Sequence, residues 1–396
     1  MSNEFGIVLQ EEQFVAALGE SFGDALDLRT WQDGGNLAPL YNSLKSMVAE
    51  SVEREARLRD PMRNVVFPQL RARAGHNLPK SAGLYRVEPE EIEQVHNALL
   101  FNGGTECCDG TRDGHDALIL SVVQLGISLV RYDGSCGAWV QRLYRRDLNV
   151  ANDDPVEEVL DLLRRRSHGG GDSGDSDETP SRLIRRALME YAERAALVEL
   201  STATWRMGHG NPIPGSVLLA TTPQLVRRSV ETLRHLILYR RFVFVASEPS
   251  DRFALTIGNA LNELEFAILG TVMDQFPEAR LERMRRSQRG HPSESRLIED
   301  FIREVAPQIV MGVYRAGRHA PSRLFYAHQD FACQAAAIAI ADSTLQPLRG
   351  FPMLIDLADI VCRSVFDTGS FHGCVQDAYA AAGEPTRYLG ERETRS

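Results

Sequence analysis

The sequence predicts a mixed α/β domain carried behind a helical N-terminal extension, and three observations predict it. Two runs of strand composition, Leu118 to Tyr132 and Ala138 to Leu148, are separated only by Asp133-Gly134-Ser135-Cys136-Gly137, which is hairpin-turn chemistry. Farther along, short apolar strands alternate with amphipathic helices, the signature of an α/β core with some parallel pairing. Residues 1–100 instead read as mostly helical, without a chemical motif.

In that first region Leu40, Leu44, Val48 and Val52 recur at i+4 spacing with Met47 on the same stripe, so an amphipathic helix is expected. A second helical stretch, Pro89 to Leu100, opens with acidic residues that suit a helix N-terminus. The region is a dimerisation or partner-docking arm, or packing for the core. A strand then ends at Asp109, ahead of the hairpin. Leu118 to Tyr132 is long for one straight strand, so a bend near Gly126 is expected.

Residues 155–166 have helical spacing with Pro155 at the start. The stretch from Ser167 to Asp177 has no apolar residue and predicts a disordered insertion at 167–179. A strong helix follows through about Ala196, and Val198 to Trp205 continues it or forms a strand. Pro223 starts another helix, and Phe242-Val243-Phe244-Val245-Ala246 is a short apolar strand. Residues 253–304 read as helical. Gln308 to Tyr314 and Arg323 to Ala327 read as strands, and helices near 329–341, 353–366 and 371–382 close the chain. The expected division is 1–100, 101–383 and a polar tail at 384–396.

Composition excludes several classes. With 43% apolar and 25% charged residues the chain reads as an ordinary soluble globular protein. No apolar run approaches the roughly 18 residues of a membrane span, and the N-terminus lacks a secretory pattern, so a cytoplasmic location is expected. The six cysteines have no metal-finger spacing and are expected as reduced structural thiols, with Cys107 and Cys108 on opposite faces of a strand.

A net charge of −10 does not advertise a nucleic-acid binder. Nearly all positive charge is arginine, however; Lys45 and Lys80 are the two lysines. Arginine suits bidentate phosphate contact. Arg142, Arg145 and Arg146 share a strand, while Arg283 and Arg286 belong to the densest run, from Arg280 to Arg289. That run is either a solvated helix face or a patch that tracks a nucleic-acid backbone.

Among 54 acidic residues, context must select. Of three Asp-Gly pairs, Asp133-Gly134 is turn chemistry and Asp113-Gly114 precedes the hairpin; Asp109 alone ends a strand, where a carboxylate can reach a bound ion. Asp109-Gly110-Thr111 resembles the motif that opens the NurA nuclease domain, whose members partner HerA-type hexameric ATPases. Gly350-Phe351-Pro352, leading to Ala358-Asp359, resembles that family's closing pattern of an aromatic-Pro pair before a helix. The resemblance implies a ribonuclease H-like mixed sheet with flanking helices, with Asp359 at the metal site.

By the same resemblance Glu199 falls on the family's middle strand aspartate, although Leu200 replaces the expected glycine and the lysine after the Phe242–Ala246 strand is missing. A helix glutamate should complete the set. Apolar periodicity favours Glu190, which flanks the stripe of Ile184, Ala187, Leu188, Tyr191 and Ala195; Glu193-Arg194 looks more like the family's helix, so both stay open. The Met207-Gly208-His209-Gly210 loop has no assigned role, and His209 reads as a loop hydrogen-bonder.

The resemblance implies Mn²⁺ or Mg²⁺, hard ions that favour carboxylate oxygen. Two such ions about 4 Å apart activate the attacking water and stabilise the leaving oxygen. The expected function is a metal-dependent DNA nuclease, homodimeric, working with a HerA-like translocase in end resection or defence against foreign DNA. No Gly-x-x-x-x-Gly-Lys-Ser/Thr loop is present, so ATP-driven motion would belong to a partner. The rivals are a catalytically silent scaffold and an enzyme acting on RNA. The assignment depends on Asp109, Glu199 and Asp359 converging.

Overall fold

A computed structural model describes residues 11–76, 78–115, 117, 120–145, 156, 160, 178–219, 223–247, 252–287 and 292–387. The expected insertion lies outside them up to residue 177, as does most of 155–166.

The chain divides at Pro61, not near residue 100. The first unit holds α1 (Glu11–Leu18), α2 (Phe22–Leu26) and the long α3 (Ala38–Pro61) that carries the Leu40–Val52 stripe. Ser21 caps α2 by accepting from the Asp24 amide, and Phe14 stacks on Phe22.

The second unit begins with a π-helical turn, Met62–Val66, then α4 (Phe67–Ala72), β1 (Gly83–Arg86) and α5 (Pro89–Val95). β1 is a strand that the helical reading of 1–100 did not anticipate. It completes one edge of the sheet, and this is why the boundary falls earlier. Next come β2 (Thr105–His115), β3 (Ser121–Val130), β4 (Cys136–Arg145), α6 (Glu178–Glu199), β5 (Trp205–His209), α7 (Gly215–Leu219), α8 (Pro223–Tyr239) and β6 (Phe242–Ala246). The remainder is α9 (Arg252–Asn259), β7 (Glu265–Thr271), α10 (Glu278–Ser287), α11 (Pro292–Val305), β8 (Ile309–Arg315), β9 (Arg323–His328), α12 (Ala332–Thr344), α13 (Met353–Val365) and α14 (Thr368–Ala381).

Among the described residues nine strands form one mixed sheet in the order β1-β7-β8-β9-β6-β5-β2-β3-β4. β2, β5 and β6 run parallel, and the other neighbours are antiparallel. β7 corrects the expectation that 253–304 is helical throughout: Glu265-Phe266-Ala267-Ile268-Leu269-Gly270 is buried, and a short apolar run does not by its period distinguish helix from strand.

Strict side-chain alternation sorts the two faces. Cys108, Ile127, Phe244, Met311 and Val313 meet one core with Ala187, Leu197, Leu233 and Phe301. Cys107, Val130, Met207, Val245 and Val310 meet the other with Leu100, Ile338, Leu354 and Ala358. The adjacent cysteines do face opposite ways.

The hairpin expectation is corrected in one respect. β2 continues to His115, so β2, β3 and β4 form a three-stranded meander. Gly134 makes the β3–β4 turn at φ +89°, with the Asp133 carboxylate accepting from the Ser135 amide. Gly126 is not the site of a break. A Cβ there would stand 2.2 Å from the Phe366 ring, so its smallness seats the end of α13 on β3. Among the described residues no helix is long and apolar enough to cross a membrane.

Candidate functional site

Asp109 does not end β2, whose antiparallel pairing with β3 runs on past it. It sits instead where the parallel pairing with β5 stops: Cys107 is opposite Met207, Cys108 is opposite Gly208, and the next position on each strand is Asp109 and His209. A carboxylate and an imidazole are therefore brought to the carboxyl ends of neighbouring parallel strands, where open α/β sheets place their ligands. His209 Nδ1 is 3.6 Å from Asp109 Oδ1. Its Nε2 is 2.7 Å from Ser247 Oγ at the end of β6, and its ring meets Phe351 edge-on at 6.0 Å.

Glu193 reaches this group from α6, on the opposite face of the sheet. Gly110 makes room, since a Cβ there would lie 2.6 Å from Glu193 Oε1. Glu193 is buried and paired with the equally buried Arg194. Arg194 also donates to the His209 carbonyl at 3.1 Å and the Asn211 carbonyl at 2.9 Å. One guanidinium thus ties α6 to the loop after β5. The Gly208-His209-Gly210 segment gains its role here: a Cβ on Gly208 would enter the Phe244 ring, and Gly210 turns the chain at φ +81°.

Asp359 arrives on α13, which is pinned to β3 by the Ser128 hydroxyl donating to the Ala358 carbonyl at 2.6 Å. Ser128 is the cross-strand partner of Asp109. Asp359 accepts from Arg363 Nε at 2.8 Å.

The charge of Asp109 acts on several of these groups. Burial pushes Glu193 up to about 7, against the pull of Arg194 and with the charges of Asp109 and Glu190 adding to it. Burial likewise raises Asp359, with the Asp109 charge next in importance. Burial alone would lower His209, but its hydrogen bond to Asp109 and that carboxylate's charge outweigh it and hold the imidazole above its ordinary value. Burial, and then the neighbouring acids, push up the Cys362 thiol beside them on α13.

The sequence expectations divide accordingly. Asp109 acts by its charge on both Glu193 and Asp359. Glu190 is buried but held by Arg186 and by the Ser216 hydroxyl. Glu199 does not join: α6 continues through it, it is exposed, and it stands six residues beyond Glu193 toward the start of β5, not its end. The helix extends because the Leu200 amide still finds the Ala196 carbonyl, at 2.9 Å. His209, not an acid, ends β5. Apolar periodicity does not separate Glu190 from Glu193, because α6 packs on the sheet and on α7 and α8 and both glutamates are buried.

Of the arginines, Arg142 lies on β4, its guanidinium donating to Gln124 Oε1 at 2.9 Å and resting over the Phe371 ring. Arg145 ends β4 and Arg283 and Arg286 ride on α10, but their side chains lie outside the described residues, as does all of Arg146. Arg285 of the same run pairs with Glu278 and Glu299, in keeping with a solvated helix face.

Among the described residues no three His, Cys, Asp or Glu side chains meet as a ready coordination set. The donor chemistry nevertheless suits a hard divalent cation. The Asp109 charge acts on Glu193, Asp359 and His209, and a cation beside Asp109 would relieve its repulsion of the two acids.

No protein-family model and no curated protein matches the chain. Several solved structures overlap most of it, three of them as follows. The NurA nuclease from Sulfolobus solfataricus aligns at 9% identity and TM-score 0.42, over 86% of this chain and 98% of its own. A NurA bound to dAMP and manganese aligns at 9% and 0.39, over 81% and 92%. A NurA with manganese aligns at 11% and 0.34, over 79% and 95%.

Proposed function

We propose that the protein is a divalent-metal-dependent nuclease that hydrolyses phosphodiester bonds of DNA. The observation that supports this reading is Asp109 at the carboxyl end of the parallel β2–β5 pairing, paired with His209 and acting by its charge on Glu193 and Asp359. Carboxylates are costly to gather in a partly buried site, and such gatherings concentrate where chemistry is done.

Asp109 is the central ligand, held by the Gly110 amide and His209. Glu193 and Asp359 complete the acidic side, and His209 adds a nitrogen donor in the place assigned by motif to Glu199. Bound Mn²⁺ or Mg²⁺ would supply an activated water and charge stabilisation at the leaving oxygen. Phe351 closes the pocket behind His209. Arg142, Arg145, Arg146, Arg283 and Arg286 are retained as candidate contacts to the flanking DNA backbone. The motif resemblance supports a homodimer working with a HerA-like hexameric ATPase in end resection or defence.

The test is cleavage of linear DNA by the purified full chain with Mn²⁺, with and without such an ATPase. Asp109→Ala is expected to abolish cleavage while leaving the melting temperature within a few degrees of wild type; wild-type rates in that variant would remove the assignment. Matched RNA strands decide the nucleic acid, and paramagnetic broadening of Mn²⁺ reads binding independently of turnover. A second reading, a silent scaffold that docks the ATPase, is favoured by the counter-ions that already hold Glu193 and Asp359, namely Arg194 and Arg363. It predicts ATPase binding with no cleavage under any metal.

A further inference from the structure

The sheet edge that carries Asp109 also carries two arginines outside every motif. Arg323 opens β9, and the β6–β9 pairing, with Ala246 opposite Leu324, sets it beside Ser247. Its Nη1 donates to the Ser247 carbonyl at 3.3 Å, while Nη2 and Nε donate to the Arg349 carbonyl at 2.7 and 3.3 Å. Both guanidiniums lie against the buried Phe351 ring, Arg323 at 5.5 Å and Arg349 at 6.0 Å from its centroid. The same ring meets His209 of the acidic group.

Arg323 is half-buried, and among the described residues no carboxylate stands within ion-pair distance of it. Burial, with the like charge of Arg349 adding to it, holds its pKa below the ordinary arginine value. A partly desolvated cation beside another cation is unfavourable unless an anion arrives. Backbone carbonyls use three of its five N–H donors and fix the fork in place, so little side-chain entropy is lost on binding.

We propose that Arg323 and Arg349, seated on Phe351 beside the Asp109 group, bind the phosphodiester backbone of the strand being cut, an inference that rests on the nuclease reading. Arg349 now pairs with Asp356 on α13. Asp356 also accepts from Gln346 Nε2 at 2.6 Å, so it keeps a partner when Arg349 turns to a phosphate. The local positive rim answers a difficulty: a chain of net charge −10 needs concentrated cationic contacts to hold a polyanion.

The experiment is fluorescence anisotropy of a fluorescein-labelled 12-nucleotide oligothymidylate with the full chain in EDTA, where nothing is cut. Arg323→Ala and Arg349→Ala are each expected to weaken binding about tenfold and to reduce the salt slope by about one, with Arg323→Lys between. Thermal melting checks that each variant is folded. Wild-type affinity in the folded double variant overturns the proposal, as does a wild-type chain that binds no oligonucleotide. Inorganic phosphate that competes as well, per phosphate, as the oligonucleotide also overturns it, leaving only a single-anion seat. Arginine-dependent binding without Mn²⁺-supported cleavage upholds the backbone contact of Arg323 and Arg349 and overturns the nuclease reading, and with it the cutting of the bound strand.

Discussion

Glu193 Oε1 lies 2.6 Å from the point that a Cβ on residue 110 would occupy. The glycine after Asp109 therefore leaves room on that face of the sheet for the Glu193 carboxyl, on which the Asp109 charge also acts. Met189 Cγ at 3.1 Å and the Gly126 carbonyl at 3.3 Å crowd the same point, leaving the displaced carboxyl little room. Gly110→Ala should cost about 1–3 kcal/mol of stability and cut metal-dependent cleavage by more than about tenfold. Denaturant unfolding and initial cleavage rates check the two parts separately.

Glu193 and Glu199 are separated by the same measurement. Glu193→Gln removes an acid of the pocket and should lower the cleavage rate by at least about a hundredfold. Glu199→Ala changes an exposed residue at the end of α6, and its rate should stay within about twofold of wild type. Equal losses in both variants would return Glu199 to the site.

Arg194 should matter to the fold before it matters to the reaction. Its guanidinium joins Glu193 to the His209 and Asn211 carbonyls and rests over the Phe244 ring. Removing one member of a buried pair strands the other, so Arg194→Met should cost about 3–5 kcal/mol. The check is a lower denaturation midpoint, accompanied by faster hydrogen exchange in the loop that follows β5.

The pH dependence of stability should report Asp342, far from the pocket in sequence but joined to it through α13. Its carboxylate is fully buried, accepts the Leu354 amide at 2.9 Å at the start of α13, and pairs with the Tyr132 hydroxyl. Burial pushes it from 3.8 up to about 7. Below the ordinary carboxylate range both folded and unfolded states keep the proton, and above about 7 neither does. Between those limits the folded chain holds a proton that the unfolded chain has released, so stability falls as pH rises, by at most about 1.4 kcal/mol per unit. Asp342→Asn should flatten that part of the melting-temperature profile; an unchanged slope would mean that Asp342 titrates normally.

Local sequence accounted for much of the frame. The tip at Asp133-Gly134, the strand at Phe242–Ala246, and the β8, β9 and α13 segments follow from turn chemistry and apolar period, which depend on near neighbours. β1 and β7 were not legible in this way. They are short and lie within helical surroundings; β1 is a strand because β7 pairs with it, and β7 because β1 and β8 do.

The site divides along the same line. Asp109 and Asp359 were visible in the sequence because an Asp-Gly step and an aromatic-Pro helix start are local patterns. The proposed roles of Glu193 and His209, and the place of Glu199 away from Asp109, rest on tertiary structure. Parallel register between β2 and β5 joins residues about a hundred positions apart, and no periodicity within either segment encodes that distance. Packing of α6 against the sheet, α7 and α8 buries both Glu190 and Glu193, a matter of what surrounds the helix and not of its own order.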